Sequence, residues 1–192
     1  MKHRWGWIAV GTLGLALCPS AAGDAALTGD VTLTVTIQSL SMTITGNPSW
    51  AIGAITPGTV VTQTNSQRAV VQNNGNVHER FTLQVTNAGG TWAVSGDATA
   101  GADEFVMGGV FGASGDSVTS GNFNESTGNE DVIQNVVTSS SATVFGSAGA
   151  SANGASVAPT NSVGLWLQFK APTSSSVSTQ QSVTTTVGVE AA

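Results

Sequence analysis

Two histidines, one cysteine and 11 acidic residues are all that this 192-residue chain offers for acid–base, nucleophilic or metal chemistry. His3 and Cys18 fall in the first 22 residues, so His78 stands alone in the remainder. A Ser-His-Asp relay needs a serine and an acid converging on that ring, and no nucleophile-elbow motif supplies the serine. Zinc needs several nitrogen or sulfur ligands, which one histidine cannot provide. Asp103-Glu104 and Glu130-Asp131 are adjacent pairs. Neighbours in an extended chain point to opposite faces, so neither doublet makes the facing carboxylates of a glycosidase. Together with Asp97, Asp116 and Asn129 these acids are oxygen donors of the kind calcium takes from loops, although EF-hand spacing and nonapeptide repeats are absent. The reading is therefore a protein that is not an enzyme, with no catalytic residues, no metal site and no cofactor, calcium being the one ion its loops would suit.

Tryptophan offers the other kind of chemistry. Leu165, Leu167 and Phe169 alternate as an inward stripe, and Trp166 has the opposite parity. If the stripe faces a core, Trp166 faces outward, where an indole ring can stack on a sugar. Trp50 and Trp92 are expected to fill the core.

The elements that would position these groups begin after an export signal. Lys2, His3 and Arg4 form a basic start, Trp5 to Leu17 an apolar run, and Ser20-Ala21-Ala22 a small-residue cleavage site, so residues 1–22 read as a signal peptide. The run is shorter than the roughly 18 residues of a spanning helix. Leu15-Ala16-Leu17-Cys18 is a poor lipoprotein box, with a bulky residue before the cysteine and Pro19 after it. Formal net charge is −6. Without Lys2 and Arg4 only Arg68, Arg80 and Lys170 face the 11 acids, a net charge of −8 that repels nucleic acid and anionic lipid. One domain, residues 23–192, is expected, secreted or at the cell surface and free of the membrane.

Period-two alternation dominates that domain. Val31, Leu33, Val35 and Ile37 share one face of an extended segment, with Thr32, Thr34 and Thr36 on the other. Leu40, Met42 and Ile44 then fall on even positions, so a bulge or a change of sheet is expected near Gln38-Ser39. The strongest local signal is Val70 to Thr86, where Asn74-Gly75 lies between two apolar runs and predicts a β-hairpin. Gly112 to Asn129 is poor in apolar residues and predicts a long exposed loop. Asp131 to Val137 is the one place where a helical turn competes with strand. About eight to ten strands separated by turns, and no long helix, predict an all-β, antiparallel sandwich.

The order Trp50-Ala51-Ile52-Gly53-Ala54-Ile55-Thr56-Pro57-Gly58, a Thr/Val strand, then Gln72-Asn73-Asn74-Gly75-Asn76 resembles immunoglobulin-like domains of uncharacterised secreted bacterial proteins. Leu165 to Pro172 followed by Gln180 to Thr184 is similar to the carboxyl-terminal end of such proteins. The resemblance implies an immunoglobulin-like β-sandwich and carries no catalytic residues. The antibody-type cysteine and tryptophan spacing is missing, and the chain has no tyrosine.

Two functions fit these expectations. One is a structural or adhesive protein of the cell surface or extracellular matrix, a self-associating filament subunit in which Val31, Leu33, Val35 and Ile37 form an assembly strand donated to a neighbour. The same segment also reads as the ordinary first strand of its own domain. The alternative is a carbohydrate-binding module holding extracellular polysaccharide on Trp166.

Overall fold

Threonine and valine favour extended backbone because their branched Cβ packs well on a pleated surface, and most of the segments rich in them fold accordingly. A computed structural model of the protein describes residues 33–87, 90–125, 130–146 and 152–192. The proposed leader, Val31 and Asn129 lie outside the described residues. Ile37–Ala192 forms one compact unit and Met1–Thr36 another. Of the latter only residues 33–36 are described, and they are exposed and without strand pairing.

The unit from Ile37 onward is all-β. Its strands are β1 (Met42–Gly46), β2 (Val60–Thr62), β3 (Ala69–Asn73), β4 (Glu79–Asn87), β5 (Ala93–Val94), β6 (Glu104–Gly112), β7 (Thr138–Ser139), β8 (Ser162–Lys170) and β9 (Val183–Ala191). A 3-10 turn at Ser120–Asn122 is the one helical element among the described residues, and Asp131 to Val137 is not helical. No helix among them is long and apolar enough to cross a membrane. The larger sheet has the order β1-β3-β8-β6-β5, with β2 also on β8, and the smaller sheet the order β7-β4-β9. Pairing is antiparallel except between β5 and β6, which run parallel, so the larger sheet is mixed rather than wholly antiparallel.

Both sheets feed one core. Phe81, Leu83 and Val85 of β4 and Val187 of β9 meet Val71 of β3, Phe105, Met107 and Phe111 of β6, and Leu165 and Phe169 of β8. Phe81 lies 5.8 Å from Phe111, and Phe105 stacks on Phe169 at 5.7 Å. Trp50 and Trp92, expected to fill the core, instead pack against its margin partly buried, with Trp92 stacked 6.2 Å from Phe169. Gly109 marks the tightest approach, because a Cβ there would sit 2.7 Å from Ile133 Cδ1 and 2.8 Å from Leu83 Cδ1.

The expected hairpin is not one. β3 pairs with β1 and β8, whereas β4 pairs with β7 and β9, so residues 74–78 carry the chain from one sheet to the other. The cause is local. Asn73 is fully buried, its Oδ1 accepts from the Gly75 amide at 2.8 Å, and its Nδ2 donates inward to the carbonyls of Val77 and Val157. That side-chain-made turn replaces the two-residue turn an Asn-Gly pair usually forms.

On the side of β4 away from β9, the two sheets are stitched together. The Ile133 amide bonds Met107 of β6, while Gln134 O accepts from Val85 of β4. β9 ends the smaller sheet, and β1 and β5 end the larger one. Ile44 of β1 sits opposite Val71, hence on the core face of its sheet, yet remains 38% exposed.

Candidate functional site

Asn73-Asn74-Gly75-Asn76 is dense in amide side chains, and the fold spends them on the chain that precedes β1. The Asn74 amide donates to Ser41 O at 2.7 Å, and the Asn76 amide to Ser39 O at 3.1 Å. Asn76 Oδ1 accepts from the Ser39 amide and Asn76 Nδ2 donates to Ile37 O, both at 2.8 Å. Glu79, fully buried at the start of β4, accepts from the Ser41 amide at 2.7 Å through Oε1. Gly75 has to be glycine, since a Cβ there would collide with Glu79 Oε1 and Ser39 O. One turn thus holds Ile37, Ser39 and Ser41 by their backbones. It also accounts for the parity change expected near Gln38-Ser39, because these residues answer to the turn rather than to a ladder.

Upstream, Leu33, Val35 and Ile37 are 84%, 72% and 82% exposed, and none belongs to a strand. The alternation therefore does not produce a first strand of the domain among the described residues. Alternating side chains make a segment able to enter a sheet, but the ladder bonds need a partner, and no described strand provides one.

The sugar-stacking expectation fails at Trp166. Parity does place it on the face of β8 opposite the main core, but the ring is fully buried in a second cluster with Val110, Val118 and Phe123. The cover is the segment from Gly112 onward, which is not simply exposed: Val118 and Phe123 turn back onto the sheet. Arg68 Cζ lies 5.4 Å from the ring centroid, and the indole Nε1 donates to Asn65 Oδ1 at 3.0 Å. Lys170 secures the same cover through an ion pair with Glu125, and bonds Ala98 O at 3.1 Å. No face of the indole is open to a ligand.

Asp97, Asp103 and Asp116 sit on separate loops and turn to local backbone. Asp97 accepts from the Thr99 amide at 2.7 Å, Asp116 from Ala113 at 2.7 Å and Asp103 from Ser176 at 2.8 Å. The Ser176 bonds hold the Asp103 carboxyl below its ordinary range. Asp131 is buried, takes the Asn124 amide on Oδ2 and leaves Oδ1 without a hydrogen-bond partner. Burial raises its pKa from 3.8 to about 6. Among the described residues no three His, Cys, Asp or Glu side chains come together as a metal site. His78 is exposed at the turn, its Nδ1 3.1 Å from Ser156 Oγ.

No protein-family model matches the chain, and no curated protein matches it.

The arm residues were visible in the sequence, and what holds them was not. Asn74, Asn76 and Glu79 were legible only as turn and strand, although an acid on the core-facing parity of Phe81 and Leu83 was a signal that something polar awaited it.

Proposed function

We propose that this is an exported structural protein of the cell surface or extracellular matrix, an immunoglobulin-like β-sandwich that self-associates by donating residues 31–37 to a neighbouring copy. The observation that carries the reading is the arm: Leu33, Val35 and Ile37 alternate with threonines, stand 72% or more exposed, and have no ladder partner among the described residues. Leaving such a row in water costs about 1.5–3 kcal/mol per large apolar side chain relative to burial, a standing drive toward a partner sheet. The two sheets sharing one core support the sandwich part of the reading. The basic, apolar and small-residue pattern of residues 1–22 supports export.

Deleting residues 23–38 tests it. The shortened protein should keep a folded, β-rich circular dichroism spectrum and run as a monomer, while the full chain forms oligomers or filaments in negative stain. Filaments that persist without the arm would defeat the proposal, as would a full-length chain that stays monomeric at all concentrations.

A further inference from the structure

We infer that the outer edge of β9 is the acceptor, and that residues 31–37 of a second copy pair along it and extend the smaller sheet. The inference rests on the donated-arm reading above and adds the surface that receives the arm.

Backbone polarity identifies the edge. In β4 the amides of Glu79, Phe81 and Val85 bond Val157, Gly154 and Gln134, all on the side away from β9. The even residues of β4 therefore bond β9, through the opposed pairs Thr82 with Gly188, Gln84 with Thr186 and Thr86 with Thr184. It follows that the amides and carbonyls of Val183, Thr185, Val187 and Val189 point outward, and among the described residues none of them bonds another backbone group. Among the described residues nothing blunts this edge. Edge strands are normally protected by lysine, proline or a bulge, and β9 has none of these over its nine residues. Its one charge, Glu190, is engaged by Arg80 at 3.6 Å.

The other edges serve less well. β5 has two residues, and β1 has five and lies next to the clamped chain. The arm also fits β9 in chemistry, since neither carries an unpaired charge and both are built largely of branched valine and threonine. A strand added outside β9 would place Leu33, Val35 and Ile37 on the core side. There Val183 and Val189 are only partly buried. The bond pattern is strand addition, with main-chain ladders giving affinity and alternate side chains giving register.

Two measurements on the full chain carrying Cys18→Ser test the assignment. The first mixes a Thr34→Cys copy with a tagged Thr184→Cys or Thr186→Cys copy, because solvent-face positions on paired strands lie within disulfide reach. Disulfide-linked heterodimers with the β9 variants, and loss of that band with Thr43→Cys or Thr45→Cys on β1, are expected. The second is Thr185→Pro, which removes an outward amide without touching the β4 ladder, a place where an edge strand tolerates proline. Filaments should be lost while the monomer's melting temperature stays within a few degrees. Crosslinking to β1 instead of β9, or filaments undiminished in Thr185→Pro, would overturn the acceptor assignment even if the arm proves necessary. Should arm deletion leave filaments intact, the underlying reading fails and this one with it.

Discussion

Replacing Trp166 by alanine removes a fully buried indole from a cluster of four residues closed by Val118 and Phe123. Truncating a buried aromatic costs about 3–5 kcal/mol through lost transfer energy and the cavity left behind. The Arg68 guanidinium above the ring adds about 0.5–1 kcal/mol and the Nε1 bond to Asn65 about 1 kcal/mol. The total falls at about 4.5–7 kcal/mol, a large share of the roughly 5–15 kcal/mol that holds a domain together. Urea unfolding followed by far-ultraviolet circular dichroism should show the midpoint drop by about 3 M, given a slope of about 2 kcal/mol per M. A double-mutant cycle with Phe123→Ala should return a coupling of about 0.5–3 kcal/mol, since the two rings share one pocket. A loss under about 1 kcal/mol, with Phe123→Ala strictly additive, would mean that the loop does not seal the sheet, and would return Trp166 to the surface as a ligand platform.

Three further outcomes are expected. Leu33→Asp with Val35→Asp should leave unfolding unchanged, since those side chains are 84% and 72% exposed, while weakening association by more than about 100-fold; sedimentation velocity reads both species. Because folding raises the Asp131 pKa from 3.8 to about 6, the folded state holds that proton more tightly. The contribution of Asp131 to stability should therefore be greatest below the ordinary carboxylate value and fall as pH rises toward 6, by on the order of 2 kcal/mol, and chemical denaturation of Asp131→Asn across that window should show that contribution removed. Gly109→Ala should cost about 1–3 kcal/mol by overpacking Ile133 and Leu83, against a neutral Gly115→Ala control with open space around it, as measured by thermal melting.

Alternation carried most of what could be read in advance. The stripe of Leu165, Leu167 and Phe169 was visible as a period-two row, and it does face the core. Partner choice was not visible, because a row of side chains names a face and leaves the neighbouring strand open. Hence Asn74-Gly75 read as a hairpin, while the buried Asn73 side chain sends the next strand to the other sheet. Parity likewise placed Trp166 on the second face but could not reveal that Val118 and Phe123, isolated in a polar stretch, fold over it. Of the candidate site, the apolar arm was legible and the turn that grips its base was not, since the contacts join residues 33 to 39 positions apart in sequence.

The grip of Asn74, Asn76 and Glu79 on Ile37, Ser39 and Ser41 bears on mechanics. In a string of copies joined through their arms, tension would enter each body at these three residues. Several bonds anchored in a buried turn would share that pull before β1 felt it, so the rungs between β1 and β3 would be spared from opening in succession like a zip. Such an anchor lets a thin tether bear load without unravelling the body behind it.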